Sequence, residues 1–104
     1  MARIEAAELL PSEKLRQSVV EGEITQLHRG DRHAEQGDTF EIDGVEFEVV
    51  EVRERRLGDL TDEDARAEGS SDLEAYRRRV EQAHEGLTWD DEDTAYLHDF
   101  ERLG

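Results

Sequence analysis

The clearest alternation of apolar and polar positions runs through Val45-Glu46-Phe47-Glu48-Val49. It predicts a strand with one buried and one solvated face. Asp38 to Ile42 precedes it and Asp43-Gly44 lies between, a type I′ turn signal, so residues 38–53 read as a hairpin. The adjacent Val49 and Val50 break the alternation, which fits either a bulge or a strand covered on both faces. Elsewhere the period is helical. After Pro11-Ser12, with Ser12 as cap, Leu15, Val19 and Val20 form an apolar stripe and Gly22 stands where a left-handed C-terminal residue is wanted. Thr61-Asp62-Glu63-Asp64 opens a short helix with a capping box, ending by Gly69. Ser71-Asp72-Leu73-Glu74 reads as a second capping box, followed by Leu73, Tyr76, Val80, Ala83 and Leu87 at helical spacing. Ile4 to Leu10 is expected to be an opening strand, Ile24 to Arg29 extended, Gly30 to Gly37 a polar loop, Asp90 to Asp93 an acidic loop, and Thr94 to Glu101 a closing strand.

A chain of 104 residues builds one domain around one core. With no cysteine, disulfides, thiolate metal sites and thiol nucleophiles are excluded. No apolar run approaches the ~20 residues that span a bilayer, and Met-Ala-Arg-Ile-Glu lacks a signal-peptide h-region, so a cytoplasmic protein without a membrane partner is expected. Charge changes the picture more. There are 29 acidic residues against 13 basic ones, a net charge of -16, and Lys14 is the only lysine. Carboxylates hold water and hydrated cations, whereas a lysine stem adds apolar surface that concentrated salt drives toward association. This balance suggests a haloarchaeal type of acidic protein adapted to a halophilic cytoplasm.

Such a chain does not attract nucleic acid through its overall field, so any nucleic-acid contact must be local. His28, Arg29, Arg32 and His33 lie within six residues, and Arg53, Arg55 and Arg56 follow the hairpin. Arg29 offers a planar fork for phosphate or a base edge, Gln26 can pair with an amide edge, Thr25 can contact phosphate or a 2′-hydroxyl, and His28 can stack. Each arginine can equally pair with nearby acids, the preferred reading for Arg77, Arg78 and Arg79. His28, Asp31, His33 and Glu35 have ligand chemistry but a spacing that matches no metal site, and no metal or cofactor is expected. Trp89 is read as anchoring its loop to the core, and Phe40, Phe47, Tyr96 and Phe100 as core residues.

Thr25-Gln26-Leu27-His28-Arg29-Gly30-Asp31, then Gly37-Asp38-Thr39-Phe40, then residues 60–69 ending in Glu68-Gly69, together resemble an ASCH domain, a small RNA-associated barrel related to PUA. The resemblance covers about Leu10 to Phe100. It implies an α+β fold, a small mostly antiparallel PUA-like β-barrel flanked by about three helices, and a cleft between the segment from Thr25 to His33 and Glu68. It also implies a role near translation or RNA processing. The enzymatic members, acetylcytidine amidohydrolases, carry a glycine, a lysine two residues on, a threonine three further and an arginine two beyond that. Here the register reads Gly22, Ile24, Leu27, Arg29. Ile24 cannot transfer a proton, and Thr25, two positions away, lies ~7 Å along a strand from the lost threonine. Only Glu68 matches the remaining catalytic position.

The leading expectation is therefore a monomeric RNA-binding module that contacts RNA or a nucleotide through Thr25, Gln26, His28, Arg29, Arg32, His33 and Glu68. The alternatives are a nucleoside- or RNA-acting hydrolase using Glu68, His28 or His33, and a protein-interaction domain. Arg29 and Glu68 are also candidates for an internal ion pair.

Overall fold

The hairpin that the alternation marks is the seed of a four-stranded antiparallel sheet. In the computed structural model, which describes residues 2–83 and 88–103, β1 (Gln26–Arg29), β2 (Thr39–Ile42), β3 (Val45–Arg56) and β4 (Thr94–Arg102) stand in the order β1-β4-β3-β2 and curl into a half-barrel. Helices α1 (Ala6–Leu9), α2 (Glu13–Val20), α3 (Asp62–Ala67) and α4 (Leu73–Ala83), with a 3-10 turn at Leu57–Asp59, complete an α+β architecture. Asp43 and Gly44 both take positive φ, 49° and 85°, as a type I′ turn requires. Val49 pairs with Phe100 and Glu51 with Asp99, leaving Val50 as the extra residue of a bulge. That decides between the two readings of the valine pair.

Facing residues in a ladder share a side of the sheet. The pairs Leu27↔His98, Val49↔Phe100 and Val52↔His98 define one side, and His28↔Leu97 and Arg55↔Ala95 the other. On the first side Phe40, Phe47, Val49 and Phe100 form the main core with Leu9, Leu10 and Val19 from the first two helices. Phe40 is fully buried, stacked on Phe47 at 5.4 Å and edge-on to Phe100 at 5.7 Å. A smaller core of Leu60, Ala65, Tyr76 and Trp89 holds α3 and α4 over the second side. Trp89 is buried with its indole N–H on Asp91, so it anchors its loop as expected. Tyr96, expected in the core, is half-buried near the end of the ladder, opposite Glu54 and Arg29.

Three local expectations change. Residues 4–10 do not form a strand: Ala6-Ala7-Glu8-Leu9 makes one helical turn, as its strong helix formers favour, and only Arg3 bridges to Thr39. Ser12 occupies the cap position of α2 but its hydroxyl makes no capping bond. The cap of α4 falls one residue later than expected, where Asp72 accepts from Ala75 N–H at 2.8 Å. By contrast, Thr61 and Asp64 form the reciprocal capping box of α3. Leu87, assigned to the stripe of the last helix, lies outside the described residues.

Because Phe40 touches both other phenylalanines and has no exposed surface, Phe40→Ala should cost about 3–5 kcal/mol, read as a lower midpoint in chemical denaturation. Leu103→Ala, at an exposed position, should stay within about 0.5 kcal/mol.

Candidate functional site

The site begins where α3 stops. Gly69 takes φ 88° and reverses the chain, leaving Glu68 fully buried between β1 and α4. Its backbone bridges to Ile24, which brings the end of α3 alongside the entry to β1. The carboxylate is saturated by donors from two elements. Oε1 accepts from the His28 backbone N–H at 3.1 Å and the Tyr76 hydroxyl at 2.9 Å, and Oε2 accepts from His28 Nδ1–H at 2.6 Å. Arg79 donates to the Glu68 carbonyl at 3.0 Å and lies over the Tyr76 ring. Burial, and then the adjoining Glu68 carboxylate, push the Tyr76 phenol far above its usual range. Tyr76 is therefore fixed as a donor.

Nδ1 of His28 is committed, and the side chain is only 2% exposed. The other ring nitrogen, Nε2, is buried and has no hydrogen-bond partner among the described residues. The residue borders two adjoining cavities. One, of about 440 Å³, is walled by Leu57, Tyr76, Val80, Trp89 and Ala95; the other, of about 380 Å³, reaches Arg29, Gly30 and His33 at the edge of the sheet.

The residues singled out in the sequence are distributed unequally around this centre. His28 and Glu68 meet. Arg29 does not join them: it belongs to the opposite side of the sheet and donates to the Leu9 carbonyl at 2.7 Å, so the expected Arg29–Glu68 ion pair is absent. The reason is strand parity, which turns neighbouring residues of β1 to opposite sides. Gln26 shares the side of His28 but is spent on Asp64, at 3.1 Å. Thr25 lines a separate cavity with Asp99 and Glu101, where burial, Glu51 and Glu101 push the Asp99 carboxyl up. Arg32 is exposed and its side chain has no partner among the described residues. His33 donates its backbone N–H to His98 Nε2 at 3.1 Å, so that nitrogen is unprotonated and Nδ1 carries the hydrogen toward the Tyr96 carbonyl. Burial foremost holds the His98 pKa below the usual imidazole value. Ile24 and Leu27, the positions that the ASCH resemblance sets against a lysine and a threonine, are both buried and apolar. No three His, Asp or Glu side chains converge among the described residues.

The remaining basic residues mostly pair. Arg53 meets Glu51, Arg56 meets Asp59 and Arg78 meets Glu74. Arg77 does otherwise, lying over the Trp89 ring at 5.8 Å. Arg55 joins Gln26 and the Thr61 N–H on Asp64. Burial opposes the Asp64 charge, but the hydrogen bonds from Gln26 and Thr61 and the Arg55 guanidinium outweigh it and hold the pKa at about 2. Tyr76, Arg79, Trp89 and the buried His98 were not expected at the site. Tyr76 is legible as a core residue at helical spacing, but nothing in the sequence pairs its hydroxyl with Glu68.

Among solved structures, the ASCH domain from Lactobacillus crispatus JV V101 is similar, with a TM-score of 0.63 at 15% identity over 97% of this chain and 78% of that one. Protein EF3133 from Enterococcus faecalis V583, of family DUF984, gives a TM-score of 0.62 at 18% identity over 98% and 75%. No family model and no curated protein matches the chain. The likeness is one of fold, and it makes the half-barrel ASCH-like.

Removing one member of a buried charged network leaves the others unpaired, so Glu68→Gln should cost about 3 kcal/mol or more. Glu74→Gln, at an exposed pair, should cost under about 0.5 kcal/mol. Denaturation midpoints of the two variants check both. The depressed Asp64 pKa adds stability that is complete above the unfolded value of about 3.9 and is lost as pH falls through about 2. Asp64→Asn should remove that contribution, so its deficit in stability should shrink as denaturation is followed from pH 5 to pH 2.

Proposed function

We propose that this chain is an RNA-binding module of ASCH-like fold, adapted to a salt-rich cytoplasm and serving translation or RNA processing without amidohydrolase chemistry. The observation that carries the reading is the paired cavity around His28. It joins aromatic and apolar walls to Arg29 and His33 at the edge of the sheet, with the exposed Arg32 next to His33 in the chain, on a fold shared with an ASCH domain. Stacking surfaces with a few directed polar groups suit unpaired bases, and single cations beside them suit phosphates. The net charge of -16 supports short-range recognition over long-range attraction. Buried Ile24 and Leu27 favour binding over the family's hydrolysis, because neither can move a proton. A second reading, a hydrolase with His28 as base, draws on one specific feature: the imidazole is oriented by a carboxylate, as a general base is.

Amide spectra recorded in molar KCl during titration with a short single-stranded RNA, cytidine and acetylcytidine test these readings. Localised shifts at residues 28–33 without any change in the ligands are expected. Conversion of acetylcytidine, or RNA cleavage, would favour the hydrolase, and silence at saturating RNA would overturn the module. Arg32→Ala should weaken RNA binding and lower the slope of log affinity against log salt by about 1, measured from several KCl concentrations.

A further inference from the structure

The loop between β1 and β2 carries Arg32 and His33, and it is tied to the domain unevenly. Its second half is well held: Glu35 N–H donates to Asp38 Oδ2 at 2.9 Å, Asp38 N–H to the Glu35 carbonyl at 3.0 Å, and Gly37 N–H to the Val49 carbonyl at 2.8 Å. In residues 30–34 a single hydrogen bond reaches the rest of the domain among the described residues. It runs from the His33 backbone N–H to His98 Nε2 at 3.1 Å. Ala34 is buried against the main core, but one methyl group contributes little by burial. The placing of Arg32 and His33 therefore hangs on one imidazole.

The donor fixes the chemistry of that ring. A backbone N–H can only donate, so Nε2 offers a lone pair while the bond stands, and the ring hydrogen sits on Nδ1 toward the Tyr96 carbonyl at 3.1 Å. His98 has no exposed surface. A proton on Nε2 would set two donors head to head and place a charge where water does not reach. The neighbours give that charge no support. Leu27 of β1 and Val52 of β3, which face His98 in the ladders, are apolar, the loop brings the His33 ring to 6.3 Å, and β1 adds the positive Arg29. Glu54, on the same side of β3, faces Tyr96 two pairs along and is exposed, as are Asp31 and Glu35 of the loop, while the buried Asp38 accepts from Ala2 and Glu35. Burial foremost, with His33 and Arg29 adding to it, holds the His98 pKa below the usual imidazole value.

We propose that His98 is a pH-sensitive latch: the neutral ring holds residues 30–34 against the sheet with Arg32 and His33 set for RNA, and protonation at Nε2 releases that segment and weakens RNA binding. This inference rests on the RNA-binding reading and adds the regulation of its site. The sign follows from the two positions of the loop. Once the segment lifts, the ring meets water and takes a proton at the ordinary imidazole value of about 6.5. With the segment closed it does so only at lower pH. Closure is therefore in full force above about pH 6.5 and weakens as pH falls below it, by at most about tenfold per unit of pH. Asp38 and Val49 keep the second half of the loop in place, so the change is confined to residues 30–34.

The test uses the whole chain, labelled with nitrogen-15, in molar KCl from about pH 7.5 to about pH 5. Protection of the His33 amide against hydrogen exchange, corrected for the intrinsic rate, should fall by up to about tenfold per pH unit below about pH 6.5. The Gly37 amide, bonded to Val49, should keep its protection, and the His33 change should share its midpoint with the His98 ring nitrogens. His98→Gln retains a side-chain acceptor that does not titrate, so its His33 amide should be indifferent to pH. A short single-stranded RNA should lose affinity for the unsubstituted protein relative to His98→Gln as pH falls, a comparison in which His28 and His33 titrate on both sides. His33 protection independent of pH, or one and the same pH dependence of RNA binding in the two proteins, would overturn the proposal and leave the RNA-binding module standing. Absence of RNA binding at every pH would remove the module and the regulation with it. If His98→Gln does not fold, separate midpoints for the His98 ring and the His33 amide of the unsubstituted protein would overturn the latch, and a shared one would support it.

Discussion

The second layer of this protein depends on a single buried carboxylate. Glu68 ends α3, accepts from the backbone and side chain of β1, and accepts from the Tyr76 hydroxyl of α4, while its carbonyl holds Arg79. No apolar side chain could join these elements in the same way, because each contact is a donor that needs an acceptor once water is excluded. The carboxylate also decides which elements can move independently. The end of α3, the middle of β1 and the first turns of α4 share one hydrogen-bonded centre, and Asp64 with Arg55 and Gln26 makes a second tie a turn earlier in α3. The aromatic core on the other side of the sheet rests mainly on shape, with Arg29 tied to the Leu9 carbonyl and His98 to the His33 N–H at its margin. The buried carboxylate centre thus lies on one side of the sheet and the phenylalanine cluster on the other.

This division bears on the acidic composition. Three structural carboxylates stand out of the water wholly or in part: Glu68 and Asp38 are buried, the latter receiving the N–H groups of Ala2 and Glu35, and Asp64 is half-buried. Most of the others stand in water, some with arginines at exposed positions where an ion pair contributes little. Self-repulsion at net charge -16 therefore falls on the solvated shell, where salt screens it, while the enclosed carboxylates are screened much less.

Much of the fold could be read from residues whose local preference agrees with their tertiary role. The hairpin was legible because alternation, the Asp43-Gly44 turn and the valine interruption all point the same way, and α3 because Thr61 and Asp64 cap each other within one turn. The opening segment was misread since its apolar residues fit either period, and its alanines decided for helix. For the site, a cleft between Glu68 and the segment from Thr25 to His33 is legible in the sequence, but the candidate ion-pair partner there is Arg29, and the structure gives the contact to His28. One position along a strand reverses direction, and no composition or motif shows which of two neighbours faces inward until the sheet is built. The Tyr76 contribution was illegible for a related reason: a long-range hydrogen bond leaves no periodic trace in sequence.

Val50 offers a last consequence. The ladder resumes at Glu51 opposite Asp99, directly after Val49 opposite Phe100, so the count of facing pairs proceeds as though Val50 were not there. Deleting it would leave Val52 on the side of the phenylalanines and Arg55 on the side of Asp64, whereas deleting any regular position, such as Glu48, would turn part of the strand inside out. What Val50 supplies is bend, since a bulge increases local twist. In this chain the residue most out of step with the pattern is the one the pattern could lose, and the curvature of the half-barrel is what would go with it.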